Sequence, residues 1–355
     1  MSDQKAYLVL EDGTVYQGYF FGHVGEVTGE VVFTTGVVGY LETLTDPSYS
    51  GQIVMQTFPL VGNYGVIAED FESPQVHAGA YIVKEWCKVP SNFRCEGDID
   101  SFLRDNKIVG MYGIDTRALT IKLREKGHMN AVITDDVSKA DLAKIKNFSA
   151  CGMAAAASPD KKYEKISDEK LYKVAMIDFG ERESVRNEFL KYGCDLTVYP
   201  YNTSAEEIIS ANPDGIVISN GPGDPAENAE AIEEIKKLMK SEIPMLGLGL
   251  GHQMMALASG FAVEKMLHGH RGANQPCRDM ITDRVYITSQ NHGYVVVSDS
   301  IDGDVADVYF ENINDNTCEG INYHRKNTFS VQFCPISCVG PLEGKLVFDK
   351  FISSM

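Results

Sequence analysis

The chain has 355 residues and a formal net charge of -18, from 50 Asp and Glu against 32 Lys and Arg. That balance argues against a general binder of nucleic-acid phosphates or of an anionic membrane face, because both draw their affinity from basic patches. Hydrophobic residues at 44% and charged ones at 23% are ordinary for a globular chain, and the length suits two domains at about 150 residues each.

Met1-Ser2-Asp3-Gln4-Lys5 runs directly into the apolar Tyr7-Leu8-Val9-Leu10, with no charged-then-apolar leader. No stretch approaches the roughly 18 apolar residues of a membrane span. The 8 cysteines are scattered through the chain, which predicts reduced thiols and a cytosolic protein. Cys334 and Cys338 lie close together, but no second Cys/His pair stands at zinc-ligand spacing, so no metal site is expected.

The first half reads as short β-rich runs broken by glycines: residues 15–21, 30–33 and 52–55. Helices are predicted over 100–105 and 116–126, the second amphipathic and closing on basic residues before Gly127. Composition shifts at 149–169, through Met153-Ala154-Ala155-Ala156-Ala157 and then Ser158-Pro159-Asp160-Lys161-Lys162. That seam divides the chain into an N-terminal domain over 1–150, a linker over 151–170 and a second domain over 171–355. Beyond it strands at 174–177, 196–199, 215–218 and 244–248 alternate with helices at 183–191, 205–210, 229–241 and 251–258. Such alternation predicts right-handed βαβ units and a mostly parallel sheet, hence an α/β fold.

Ligands of an open parallel sheet sit beyond the carboxyl ends of its strands, and two glycine-rich turns fall there. One is Ser219-Asn220-Gly221-Pro222-Gly223-Asp224-Pro225. The other is Gly247-Leu248-Gly249-Leu250-Gly251-His252-Gln253, which has the strand-to-helix shape of a nucleophile elbow. Each turn alone is equally consistent with a tight turn that binds nothing.

In combination they say more. Gly221-Pro222-Gly223, the elbow, Gln290-Asn291-His292-Gly293-Tyr294 and Val331-Gln332-Phe333-x-Pro335 together resemble the class I glutamine amidotransferases. Thr35-Gly36-Val37-Val38-Gly39-Tyr40, the run Leu44 to Gln52, Gly62-Asn63-Tyr64-Gly65 and Gly113 to Thr120 are similar to the small subunit of carbamoyl-phosphate synthetase. The resemblance spans essentially the whole chain. It implies a β-rich α/β small-subunit domain followed by an amidotransferase domain. It also implies a large-subunit partner in a heterodimer, carbamoyl phosphate for pyrimidine and arginine biosynthesis, and no cofactor.

In that family a Cys–His–Glu triad hydrolyses glutamine, with the thiolate attacking the side-chain amide and His serving as base and acid. Here Gly249 stands at the nucleophile position, and the His-Pro-Glu motif reads Cys334-Pro335-Ile336. Gly249 has no group to form a thioester, and Ile336 has none to orient a base. The resemblance assigns the oxyanion hole to the N–H groups of Leu250 and Gly223. It assigns glutamine contacts to Ser48, Gly221, Gly223, Leu250, Gln253, Asn291, Gly293 and Tyr294. A further departure is His270-Arg271-Gly272-Ala273-Asn274-Gln275, where the family usually shows His-His-Gly-Ala-Asn-His.

Three functions remain open on these residues. The chain is a glutaminase-dead small subunit that scaffolds or regulates its partner, or a glutamine-binding or structural module on its own. The third is an active amidotransferase with a relocated nucleophile, for which Cys334, Cys338 and His292 are the candidates. His252 reads as a structural residue at the start of a helix.

Overall fold

The computed structural model describes residues 4–325, 327–336 and 340–355. It divides into two compact units, Met1–Ala150 and Cys151–Met355.

The first unit is built on a closed barrel. Its strands are β1 (Lys5–Leu10), β2 (Val15–Gly22), β3 (Val27–Thr34), β4 (Gln52–Gln56), β6 (Ala80–Val83), β8 (Val109–Tyr112) and β9 (Met129–Thr134), in the order β1-β2-β8-β6-β4-β3-β9. Strand β9 pairs back onto β1, so no barrel edge is left to template aggregation. Short strands β5 (Leu60–Val61) and β7 (Glu85–Trp86) form a separate ribbon. The barrel interior holds Leu8, Val31, Ile53, Met55, Ile82, Met111 and Ile133, all buried. Helices α1 (Tyr40–Thr45), α2 (Ile99–Asp105), α3 (Thr116–Lys126) and α4 (Leu142–Lys146) complete the unit. Helix α3 begins where the Asp115 carboxylate accepts the Ala118 N–H at 2.9 Å and stops at Gly127, whose φ is 90°.

The second unit contains strands β10 (Tyr163–Lys165), β11 (Tyr172–Asp178), β12 (Cys194–Pro200), β13 (Gly215–Ile218), β14 (Met245–Leu248), β15 (Val263–Asp279), β16 (Val285–Val296), β17 (Ala306–Asn312), β18 (Cys318–Tyr323) and β19 (Thr328–Val331). They make one sheet in the order β10-β12-β11-β13-β14-β19-β18-β16-β15-β17. Its helices are α5 (Met153–Ala157), α6 (Glu183–Lys191), α7 (Ala205–Ser210), α8 (Ala229–Leu238), α9 (Leu250–Ala258) and α10 (Leu346–Ile352). Strands β12, β11, β13, β14 and β19 run parallel, as the strand–helix alternation predicts. Every residue of β13, β14 and β19 is buried, the signature of strands covered on both faces.

The remaining strands are antiparallel. The sheet is therefore mixed, with a long β15–β16 hairpin extending it. Residues 151–170 contribute helix α5 and strand β10, which pairs with β12 at the sheet edge. Among the described residues no disulfide forms, and no helix is long and apolar enough to cross a membrane.

Candidate functional site

The site is built from loops at the carboxyl ends of β11, β13, β14 and β19. Gly249 forms the turn between β14 and α9, with φ 53° and ψ -107°. A side chain is strained there by about 1–3 kcal/mol, and glycine relieves that strain. A Cβ built on Gly249 would meet Asn220 Cβ at 3.2 Å, a tight approach that the Asn220 side chain must relieve by a small shift.

The neighbouring glycines are fixed by space. A Cβ on Gly251 would collide with the carbonyl oxygen of Ile218, and one on Gly221 with that of Phe179. These close approaches let the loops be stitched by backbone. Gly249 N–H donates to Val331 O at 2.9 Å, and Gly251 N–H to Ser219 O at 3.0 Å. The Ser219 hydroxyl accepts from Phe179 N–H at 2.9 Å, and Asn220 Nδ2 donates to Gly180 O at 2.9 Å. Leu250 supplies the first N–H of α9, one of the amides a helix cannot satisfy internally. Gly223 sits at φ 94° in the loop after β13.

Gln253, on the first turn of α9, is buried. Its Nε2 donates to Tyr294 O at 3.0 Å and to Gln332 Oε1 at 2.9 Å, tying the helix to β16 and to the loop after β19. The Tyr294 hydroxyl donates to Asp224 Oδ2 at 3.1 Å, joining β16 to the loop that carries Gly221 and Gly223. Asn291 and Gly293 lie on the same strand. These residues therefore gather on one set of adjoining elements within the second unit. Ser48 belongs to the first unit, in a short turn whose Ser48 N–H donates to Asp46 Oδ1 at 2.9 Å.

Beyond β19 the side chains change character. Cys334 is half-buried and held by its backbone, whose N–H donates to Ser289 O at 2.8 Å. Ile336 packs against the apolar cluster that includes Phe333, Val347 and Phe348. A side chain in that setting fills space and cannot align an imidazole. Cys338 lies outside the described residues.

Neither histidine near the elbow is arranged as a base. His292 is buried, with Nδ1 2.8 Å from Tyr294 O and Nε2 3.1 Å from Gln290 Oε1. Burial, reinforced by the charges of His270 and Arg271, holds it well below the usual imidazole range. His252 is wholly buried, with Nδ1 2.8 Å from the Ser330 hydroxyl. Burial lowers its pKa to about 3, so it stays neutral inside the fold.

A polar network that the sequence did not signal stands behind His292. His270 places Nδ1 3.1 Å from Glu319 Oε1 and Nε2 2.8 Å from Asp315 Oδ2. Burial opposes its charge, yet the hydrogen bonds to Asp315 and Glu319 raise its pKa to about 9. The same contacts overcome the burial of Asp315 and lower its carboxyl to about 2. Burial outweighs His270 at the fully enclosed Glu319 and raises its pKa. His270, His292 and Glu319 bring ligand-type atoms within 4.8 Å of one another. Both His270 nitrogens are already engaged by carboxylates, so the trio fits a hydrogen-bonded buttress for the β15–β16 hairpin better than a metal centre.

Comparison with known proteins is consistent across the chain. The family description "Carbamoyl-phosphate synthase small chain, CPSase domain" matches residues 8–133, and "Glutamine amidotransferase class-I" matches residues 175–354. The carbamoyl phosphate synthase small chain of Clostridium perfringens is 46% identical over 350 residues, covering 98% of this chain and 99% of that protein. The small chain of Caldanaerobacter subterraneus is 44% identical, covering 98% of this chain and 96% of the relative. That of Fusobacterium nucleatum is 42% identical, covering 98% and 97% respectively.

Proposed function

The chain belongs to the carbamoyl-phosphate synthase small-chain family, and from that premise we propose that it is a small subunit whose own glutaminase step is lost. In this reading it pairs with a large subunit in the cytoplasm as a heterodimer. It scaffolds or regulates carbamoyl-phosphate synthesis while the partner draws on free ammonia, with bicarbonate and ATP as the other substrates. The observation that carries the reading is the contrast at the site: a backbone cradle without the groups that perform acyl transfer.

Glutamine hydrolysis needs a nucleophile, a base and a group to orient the base. Gly249 offers none, Ile336 is committed to an apolar cluster, and both ring nitrogens of His292 are engaged by carbonyl oxygens. Backbone donors alone, at Leu250 and Gly223, give on the order of 10³–10⁴-fold over water, too little for a working glutaminase.

The test is to co-express the chain with the large subunit of the same cell and assay the purified complex. The two chains are expected to co-purify and to form carbamoyl phosphate from an ammonium salt but not from glutamine. Synthesis driven by glutamine, abolished by Cys334→Ala, would replace this reading with one of a relocated nucleophile. A second reading, glutamine binding without turnover, is favoured by the tight glycine cradle at Gly221, Gly249 and Gly251. It predicts that glutamine raises the melting temperature of the isolated chain, since a ligand that binds only the native state stabilises it.

A further inference from the structure

We propose that a cavity at the amino end of β19 binds a small oxyanion ligand, a metabolite carrying a carboxylate or a phosphate, through Lys350 and Arg325. The cavity has a volume of about 330 Å³, and its polar lining comes chiefly from Asn322, Arg325, Asn327, Lys350, Ser353 and Ser354. Among the described residues its lining presents two cations and no carboxylate side chain, in a chain whose net charge is -18. Hydroxyls and amides supply the rest of a hydrogen-bonding wall suited to oxygen-rich ligands.

Lys350 has an unusual setting. Its Nζ lies 3.7 Å from the ring centre of Tyr309 and 4.4 Å from that of Phe329. Its hydrogen-bond acceptor is Asn322 Oδ1 at 3.3 Å. Among the described residues it enters no ion pair. A lysine serving packing alone extends its amine to water or to a carboxylate. Here the amine is folded over two rings beside an open cavity, and burial lowers its pKa to about 8 against the opposing field of Asp279. Asp279 does not line the cavity, and its Oδ1 accepts the N–H groups of Ile281 and Thr282. Arg325 is exposed, and its Nη1 donates to Met239 O at 2.7 Å, which fixes the guanidinium at the cavity while leaving other donors for a ligand.

This cavity is separate from the elbow. In the β14–β19 pairing Met245 opposes Thr328 and Leu248 opposes Val331. Gly249 follows Leu248, so the elbow and the cavity lie at opposite ends of the strand, about 13 Å apart at about 3.3 Å per residue. A ligand there would not compete with one at the elbow, so the placement suits a regulatory effector.

The test is calorimetric titration of the full chain at constant ionic strength, with inorganic phosphate in one arm and succinate in the other. Saturable binding of one equivalent is expected in at least one arm, and the arm that responds identifies the phosphate- or carboxylate-bearing class. Lys350→Met and Arg325→Gln are each expected to weaken it at least tenfold, and Lys350→Arg to retain it. Should Lys350→Met fail to fold, the exposed Arg325→Gln decides. Heats of dilution in both arms, or binding undiminished by Arg325→Gln, would overturn the proposal.

Discussion

Two sides of the elbow region in the second unit behave differently. On the β13–β14 side the site is made of backbone: Gly221 and Gly251 press against carbonyl oxygens that admit no Cβ, and Gly249 holds a positive φ. On the β19 side it is made of side chains, and there Ile336 packs on an apolar cluster while the Cys334 N–H donates to Ser289 O. The difference teaches that close backbone packing fixes Gly221 and Gly251, whereas the side chains beyond β19 are not tied to that backbone packing. A glycine at the elbow carries less backbone strain than a nucleophile-bearing residue would there.

That comparison can be broken at several points. The largest effect is expected at Gly251→Ala, where the new Cβ meets the Ile218 carbonyl. A loss of about 3 kcal/mol in urea unfolding is predicted, at the upper end for overpacking, and a loss well under 1 kcal/mol would show that the cradle is not rigid. Gly249→Cys should cost about 1–3 kcal/mol through its backbone angles alone. Unlike Gly251→Ala it should fold with only a small shift at Asn220, because the near neighbour is a side chain and not a carbonyl.

Gln253→Ala removes the donor to Gln332 Oε1 and one of the two donors to Tyr294 O, which His292 Nδ1 also approaches at 2.8 Å. A cost of about 1–2 kcal/mol by chemical denaturation is expected for such a loss among buried groups.

The smallest effect concerns pH. The His270 pKa is raised from 6.5 to about 9, so its contribution is full below about pH 6.5 and disappears as pH rises through about 9. The Asp315 pKa is lowered to about 2, so its share is present above about pH 4 and is lost only as pH falls towards 2. Because Asp315 is partly exposed, a decline of about 1 kcal/mol between pH 6.5 and 9 is predicted after screening. His270→Gln should flatten that decline, and an unchanged profile would mean the network does not titrate there.

Much of the second unit is legible from sequence because each element announces itself locally. Helix α6 and strand β13 occupy the residues their patterns predict, and the elbow at Gly249 is readable from its spacing of small residues. Strand pairing over long range is not legible in this way. Nothing local to Met129–Thr134 states that it closes a barrel onto Lys5–Leu10, and nothing in Val263–Asp279 distinguishes an antiparallel extension from a further βαβ unit. Residues 151–170 read as small and polar because α5 and β10 are short, α5 burying only Ala154 and β10 none of its residues. Glu319 was hidden for a different reason. One acidic residue between Cys318 and Gly320 looks like the solvent side of an alternating strand, yet it is fully buried and answered by His270 from 49 positions away. Lys350 carries no local signal either, and only the fold brings Tyr309 and Phe329 beneath its amine.

The measurement that bears most directly on a cradle without chemistry is glutamine hydrolysis by the purified chain, with and without its large subunit, beside the triple variant Gly249→Cys/Cys334→His/Ile336→Glu. The account predicts no ammonia above background from the native chain and restored release from the triple variant. Ammonia released by the native chain would contradict it.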